Sequence, residues 1–329
     1  MLENDIGFVL QKKKDKDFVV LVLCDPQMQK EEFAPNHPSF LELKHTFESL
    51  LERQKPDLIA VAGDIIDYAD TMYFANFINS YNIPWAPVFG NHDHEFFNVK
   101  FMGEKYKSFS NCIFDAGNAE MGCGNYVICV EEEGKIVSAI FMMDSHNIGP
   151  YKGVGMLREE KWYPAQFAWY EQKVNLLKQV GCNRSAIVQH IPIYAYKLAS
   201  QKARNVETLA LAENKAILRE DASQSADEKY WNDGYKGTCF GLQLEGVSCP
   251  IEEDGVLEII QRLNHTTHVV VGHDHNNNTS ILYEGVRLTF GLHIGKGCYF
   301  DPVLNGGTYL LIDEKGEMTL KHEYVKMLY

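Results

Sequence analysis

The sequence predicts an α/β fold in which two mixed β-sheets pack face to face and helices cover their outer faces, an α/β/β/α sandwich. The first observation is that short apolar runs alternate with helical stripes over residues 18–89, as in strand–helix units. The second is that residues 281–324 contain apolar runs joined by Glu284-Gly285 and Lys315-Gly316, which are typical hairpin turns. The third is that polar residues directly follow five of the apolar runs.

Three strands and two helices are predicted before residue 90. The strands are the apolar runs at residues 18–24, 58–62 and 85–89. Apolar residues at helical spacing predict helices at about residues 40–51 and about residues 71–80. Pro84 and Pro87 predict an irregular start or an edge position for the third strand, because proline cannot donate a hydrogen bond to a neighbouring strand.

The rest of the chain mixes hairpins with further strand–helix units. Residues 125–130 and 136–143 predict a hairpin. Helices are predicted at about residues 167–177, which Gly181 ends, and at about residues 256–263. The other predicted strands, of which the last four read as an antiparallel run, are residues 185–189, 268–271, 281–283, 286–290, 308–312 and 318–324.

This succession of elements predicts a single domain over residues 1–329. Residues 195–246 are polar and mixed, and they give no clear period. We predict that they form a helix and a long excursion near the functional site, because long loops in compact domains are often functional lids.

The composition limits the classes of function. The net charge of −14 and the lack of a basic stripe argue against nucleic-acid and anionic membrane partners. Eight cysteines without a Cys-x-x-Cys pair predict free thiols in a reducing compartment. No signal peptide or apolar membrane span is visible in the sequence, so we expect a cytoplasmic protein.

Five short polar segments follow predicted strands, and we expect them to converge. In open α/β sheets, ligands bind at the carboxyl ends of the strands, which is where each of these segments lies. The segments are Asp25-Pro26-Gln27, Gly63-Asp64-Ile65-Ile66-Asp67, Gly90-Asn91-His92-Asp93-His94, His190, and Gly272-His273-Asp274-His275.

The residue types in these segments predict a metal site. Carboxylates, an amide oxygen and imidazoles suit Mn, Fe or Zn, and one carboxylate of the second segment could bridge two ions. His273 and His275 would point to opposite faces of an extended strand. We expect Gly272 to free the backbone so that both imidazoles turn toward neighbouring ions.

The order of these segments resembles the calcineurin-like metallophosphoesterase superfamily over nearly the whole chain. Further features resemble its branch of small phosphatases related to purple acid phosphatases; they are Gln166 and Trp169, His190-Ile191-Pro192, Gly246-Val247-Ser248, and His275-Asn276. The resemblance implies two divalent or trivalent ions of Fe, Mn or Zn, alone or mixed. It implies the ligands Asp25, Gln27, Asp64 and His275 for the first ion, and Asp64, Asn91, His190 and His273 for the second.

The resemblance also implies catalytic roles and two departures from the family pattern. His92 would face the substrate phosphate and the leaving oxygen, with Asp93 orienting its ring. Gln27 stands where most of the superfamily has histidine. Asp67 replaces the tyrosine that colours purple acid phosphatases, so we predict no purple colour and expect Asp67 to be the partner of a ligand histidine.

The function that follows is hydrolysis of a small phosphorylated substrate by a hydroxide that bridges the two ions, most simply as a phosphomonoesterase. A phosphodiesterase or nucleotide pyrophosphatase with the same centre is the alternative, and Gln27 favours it. A non-catalytic binding protein with this fold is a third alternative. His146 lies at the end of the predicted strand of residues 136–143, and His293 follows a late strand; both are candidates for substrate contact. The sequence leaves the oligomeric state open.

Overall fold

The computed structural model describes residues 6–96, 98–150, 157–204 and 231–328. The strands in these residues are β1 Phe8–Gln11, β2 Phe18–Leu23, β3 Leu58–Ala62, β4 Trp85–Val88, β5 Tyr126–Glu132, β6 Lys135–Met142, β7 Ile148–Pro150, β8 Leu157–Glu159, β9 Ser185–Val188, β10 Thr266–Val271, β11 Ser280–Tyr283, β12 Val286–Phe290, β13 Gly306–Ile312 and β14 Met318–Tyr324. The helices are α1 Pro38–Arg53, α2 Tyr73–Asn79, α3 Asp93–Phe96, α4 Val99–Tyr106, α5 Pro164–Gln179, α6 Tyr194–Ala203 and α7 Val256–Leu263.

The strands form two large mixed sheets and a separate antiparallel pair, β7 and β8. The larger sheet has the order β1-β5-β6-β9-β10-β12-β11, and the smaller one has the order β14-β13-β2-β3-β4. β2, β3 and β4 are parallel neighbours in the smaller sheet. β6, β9, β10 and β12 are parallel neighbours in the larger sheet. The carboxyl ends of these parallel strands carry the polar segments identified in the sequence.

The alternation of side chains explains why the two sheets face each other. In the hairpin of β5 and β6, Ile128 and Ile140 belong to the hydrophobic core shared with the smaller sheet. Their neighbours Cys129 and Phe141 point the other way and pack in a second core, which includes residues of α5, α6 and α7. Helices α1 and α2 contribute to the first core from the far side of the smaller sheet, through residues such as Phe47. The predicted α/β/β/α sandwich is confirmed.

The last four predicted strands do not form one antiparallel run. β12 pairs with β11 in an antiparallel hairpin, but it pairs with β10 in parallel, with Val271 opposite Phe290. The β13–β14 hairpin joins the smaller sheet, where Thr308 lies opposite Val22. Hairpin turns determine local pairing but not the sheet that a hairpin joins, so this part of the prediction was wrong. The edge position predicted from Pro87 is confirmed, since β4 ends the smaller sheet.

Three other predictions concern the cysteines, membrane spans and residues 195–246. All eight cysteines are thiols, as predicted. Within the described ranges, no helix is both long enough and apolar enough to cross a membrane. Half of the segment 195–246, residues 205–230, lies outside the described residues. The residues on either side are joined by a hydrogen bond from Asn232 N to the carbonyl of Ala203. The single-domain organisation stays a prediction.

Candidate metal centre

Loops from both sheets bring the predicted ligands together in the interior. Asp25, Asp64 and Asn91 follow β2, β3 and β4 of the smaller sheet, and all three are buried. His190 and His275 follow β9 and β10 of the larger sheet and are also buried. Ligand atoms of Asp25, Asp64 and His190 lie within 4.8 Å of one another. The site therefore lies where the carboxyl ends of the two sheets meet.

Two groups of side chains share the Asp64 carboxylate. In the first group, Asp25 Oδ1 lies 3.3 Å from His275 Nε2. Gln27 Nε2 donates a hydrogen bond of 3.3 Å to Asp64 Oδ2. In the second group, His190 Nε2 lies 3.3 Å from the same Asp64 oxygen. Asp64 Oδ2 is thus positioned between the groups.

The second group is completed by an amide and another imidazole. His190 Nε2 lies 3.1 Å from Asn91 Oδ1 and 3.2 Å from His273 Nδ1. Burial, followed by the nearby His190, lowers the pKa of His273 to about 3. His273 is therefore neutral at ordinary pH, and a neutral imidazole is the form that binds metal ions.

Backbone carbonyls set the tautomers of two of the imidazoles. His190 Nδ1 donates to the carbonyl of Ala62 at 2.8 Å, and His275 Nδ1 donates to the carbonyl of Tyr299 at 2.6 Å. Each neutral ring then presents its Nε2 lone pair to carboxylate or amide oxygens, which are also acceptors. Acceptors that face each other need a positive charge between them. Carbonyl-held histidines of this kind are the usual ligands of protein-bound metals.

The pKa values of His190 and Asp25 show that the site favours positive charge. Burial favours neutral His190, yet the charges of Asp64 and Asp25 overcome it and raise the pKa of His190 to about 10. Burial also opposes ionisation of Asp25, but His275 and His190 hold its pKa well below the usual value. Bound cations would meet this demand without protons.

Gln27 provides an independent test of fit to a metal ion. Its side chain is buried, and its Oε1 atom has no hydrogen-bond partner among the residues that the structure describes. A buried amide oxygen without a partner costs about 1–3 kcal/mol. Oxygen ligands suit hard and borderline divalent ions, so a cation bound at this oxygen would satisfy it. The donor set fits two ions, and the assignment of each ligand stays a prediction.

Strained backbone occurs at four of the predicted ligands. Asp25, Gln27, Asp64 and His273 have φ angles of 55°, 37°, 48° and 74°, in the left-handed region that non-glycine residues rarely adopt. Each such residue costs about 1–3 kcal/mol and persists only where its surroundings hold it. His273 itself makes the turn that the sequence analysis assigned to Gly272.

Gly272 and Gly90 are needed for space. A Cβ atom on Gly272 would lie 2.4 Å from Asp25 Oδ2, and one on Gly90 would lie 2.2 Å from Asp64 Oδ1. The glycines therefore allow the backbone to approach the two carboxylates closely.

We predict that Gly272→Ala weakens metal binding by at least about 10-fold, because the new methyl group must displace the Asp25 carboxylate. Zinc titration measures the effect. Gly234→Ala is the matched control, since a Cβ there meets no atom within 4 Å. Equal affinities in the two variants would contradict this role of Gly272.

His92 lies at the open edge of the site, but Asp93 does not orient its ring. The His92 side chain is 38% exposed, and its Nδ1 atom pairs with Glu95 at 2.9 Å. The Asp93 carboxylate instead accepts hydrogen bonds from the backbone N–H groups of Gly90, Ile65 and Ile66. Burial and the nearby Asp64 raise the pKa of Asp93 to about 7. Asp93 therefore holds the loops after β3 and β4, and Glu95 holds the ring.

Asp67 is not the partner of a ligand histidine, so that expectation was wrong. Its two carboxylate oxygens accept hydrogen bonds from Phe74 N at 3.2 Å and Ala75 N at 2.8 Å, at the start of α2. A carboxylate at a helix N-terminus satisfies N–H groups that have no partner within the helix. Burial raises the pKa of Asp67 to about 6.

An open pocket of about 440 Å³ adjoins the centre. Two predicted site residues, Gln27 and His92, line it. The other lining residues are Gln29, Glu32, Ile66, Glu95, Lys296 and Cys298. Sequence reasoning missed Lys296 and Cys298, which lie in an irregular segment after β12. The spacing of His92 and Glu95, three residues apart, was a usable signal for a helical pair.

The two candidate substrate contacts are both buried away from this pocket's lining. His146 Nε2 lies 2.5 Å from Gln166 Oε1, and its ring stacks on Tyr163 with centroids 3.7 Å apart. His293 lies against His275, with ring centroids 4.6 Å apart. A direct role for either residue in substrate binding stays a prediction.

Comparison with known sequences identifies the relatives of this chain. A sequence model of the calcineurin-like phosphoesterase family matches residues 18–277. "Probable inactive purple acid phosphatase 28" of Arabidopsis thaliana is 24% identical over 280 residues, which cover 77% of this chain and 62% of that protein. "Phosphatase DCR2" of Saccharomyces cerevisiae is 23% identical over 252 residues, which cover 70% of this chain and 38% of that protein. The chain thus spans less than two thirds of the length of these relatives.

Comparison with solved structures supports the same fold. The crystal structure of a dimetal phosphatase from Danio rerio matches with a TM-score of 0.58 and 12% identity, over 95% of this chain and 98% of that one. An identity this low shows the fold alone. The family match covers the polar segments from Asp25 to His275. The chain belongs to the calcineurin-like phosphoesterase family.

Proposed function

We propose that this chain hydrolyses phosphate monoesters at a centre of two metal ions drawn from Fe, Mn and Zn. The observation that carries the proposal is the Asp64 carboxylate, which lies between two groups of buried ligands beside an open pocket. The orphaned Gln27 oxygen adds a second reason to place a cation there. We further propose a cytoplasmic location and a small phosphorylated substrate.

The bound ions and the side chains would have different roles in the reaction. Two ions held by these side chains would lower the pKa of a water molecule and neutralise charge on the phosphate. The backbone N–H of His92 donates a hydrogen bond of 2.9 Å to Asp64, which holds this carboxylate between the two groups of ligands. The His92 ring, held by Glu95, is placed to donate a proton to the leaving oxygen.

The Lys296 ammonium is the feature of the pocket that supports a monoester, which carries up to two negative charges. The carboxylates of Glu32 and Glu95 line the same pocket, so the bound ions would supply most of the positive charge that a phosphate needs. A phosphodiesterase or nucleotide pyrophosphatase is the second candidate. It is favoured by Gln27, whose amide supplies a weaker donor to borderline metals than an imidazole would.

A panel of substrates tests the proposal. Protein loaded in turn with Fe, Mn or Zn is assayed on an aryl phosphate monoester, a bis-aryl phosphodiester and a nucleoside diphosphate. We expect kcat/KM for the monoester to exceed that for the diester by at least about 10-fold, a difference of about 1.4 kcal/mol in transition-state binding. Asp64→Asn protein, prepared in parallel, controls for contaminating phosphatases.

The panel also separates the alternatives. Faster hydrolysis of the diester or the diphosphate would establish the second candidate. Bound metal without hydrolysis of any substrate would indicate a binding protein, an outcome given weight by the words "probable inactive" in the names of two plant relatives.

A further inference from the structure

His293 lies beside the first group of ligands, on the segment that connects β12 to β13. It forms an isolated parallel bridge with Cys24, the residue before Asp25. The Ile294 N–H donates to the Cys24 carbonyl at 3.1 Å, which fixes this contact. The His293 ring lies against the ring of His275, tilted by 34°. His293 is thus held by Cys24, which precedes the predicted ligand Asp25, and by the predicted ligand His275.

The hydrogen bonding of His293 leaves one lone pair unused. Its Nε2 atom donates to the carbonyl of Gly297 at 3.1 Å, so the neutral ring carries its lone pair on Nδ1. The side chain is 2% exposed, and Nδ1 has no hydrogen-bond partner among the described residues. An unsatisfied acceptor in the interior costs about 1–3 kcal/mol, which calls for a ligand at this atom.

Gln27, a predicted ligand of the first ion, also has an acceptor atom without a hydrogen-bond partner within the described ranges. Its Oε1 atom is also buried and has no hydrogen-bond partner in the described part of the chain. The two residues are linked by the His293 segment, because a Cβ on Gly297 would lie 2.7 Å from the carbonyl oxygen of Gln27. Two orphaned acceptors on one ligand group point to one shared cation.

We infer that Nδ1 of His293 is a further ligand of the ion held by Asp25, Gln27, Asp64 and His275. The inference rests on the proposed two-metal function. An amide oxygen is a weaker donor to Zn²⁺ or Fe than an imidazole, and Gln27 occupies the position where most of the family has histidine. His293 supplies the missing imidazole from a different strand end.

Zinc binding to four proteins tests the inference: wild type, His293→Phe, Gln27→His, and the double variant. Phenylalanine keeps the ring that packs on His275 and removes the nitrogen. We expect His293→Phe to weaken the binding of one of the two zinc ions by about 10- to 100-fold and to leave the affinity for the other ion unchanged. Gln27→His should restore that affinity in the double variant, which loss of packing alone would not predict.

His322→Phe is the matched control. His322 is 3% exposed, but both of its ring nitrogens have partners, Thr308 Oγ1 and the Asn278 carbonyl. This variant should bind both zinc ions with wild-type affinity. Equal weakening in His322→Phe and His293→Phe would assign the effect to packing and overturn the inference.

A direct measurement on the wild type covers the case in which His293→Phe fails to fold. In protein with ¹⁵N-labelled histidine loaded with ¹¹³Cd²⁺, we expect one-bond coupling between cadmium and His293 Nδ1. Absence of this coupling, with coupling present for His190, would overturn the inference while leaving the proposed function intact. Failure of wild-type protein to bind zinc or cadmium at all would overturn both.

Discussion

Asp64→Asn should release at least one ion and lower turnover by at least about 1,000-fold, since a metal centre supplies several kcal/mol of transition-state stabilisation. Asp64 Oδ2 lies 3.3 Å from both Gln27 Nε2 and His190 Nε2. Asparagine has nearly the same shape but no charge, so neither group of ligands keeps its shared anion. Metal analysis and kcat/KM for a phosphate monoester measure the two effects.

Asp67→Asn is the control for Asp64→Asn, because both positions are buried carboxylates after β3. Asp67 holds only the first turn of α2 through its described hydrogen bonds. We expect this variant to lose about 0.5–2 kcal/mol of stability, as when a helix cap is removed, and to keep its metal and its activity per folded molecule. Similar losses of metal in both variants would show that Asp64 acts only through folding.

His92→Ala should lower turnover by about 100- to 10,000-fold while both ions stay bound, the range expected for loss of a general acid. The ring is 38% exposed and pairs with Glu95, so it is not part of the buried ligand groups. Its backbone N–H, which donates to Asp64, is kept in the variant. Measured metal content together with kcat separates a catalytic role from a ligand role.

Glu95→Gln provides a graded control for His92→Ala. The amide oxygen can still accept a hydrogen bond from the ring, but it lacks the negative charge of the carboxylate that lies 2.9 Å from Nδ1. We expect a smaller loss of turnover than in His92→Ala and no loss of metal. Unchanged turnover in His92→Ala would remove this residue from the mechanism.

The convergence of four predicted ligands could be inferred from the sequence because the ends of apolar runs mark the ends of strands. Asp25, Asp64, His190 and His275 each follow an apolar run, and the structure brings all four into two adjoining groups. The sandwich was predictable for the same reason, since the apolar runs and hairpin turns are local signals. The sheet that the last hairpin joins was not predictable, because no local feature encodes it.

The orientation of neighbouring carboxylates could not be predicted. Asp93 and Glu95 both lie in α3, but the backbone N–H groups of Ile65 and Ile66 donate to Asp93, and this leaves Glu95 for His92. Asp67 likewise binds α2, whose start was not located precisely in the sequence. These choices depend on long-range packing rather than on spacing along the chain.

The metal content of wild-type protein purified without chelator tests the central claim most directly. The donor set of Asp25, Gln27, Asp64 and their histidine partners predicts two ions of Fe, Mn or Zn per chain. It also predicts that a chelator abolishes hydrolysis and that the same metals restore it. Protein that holds no metal above the level in its buffer, and that hydrolyses a phosphate ester equally well with a chelator present, would contradict the account.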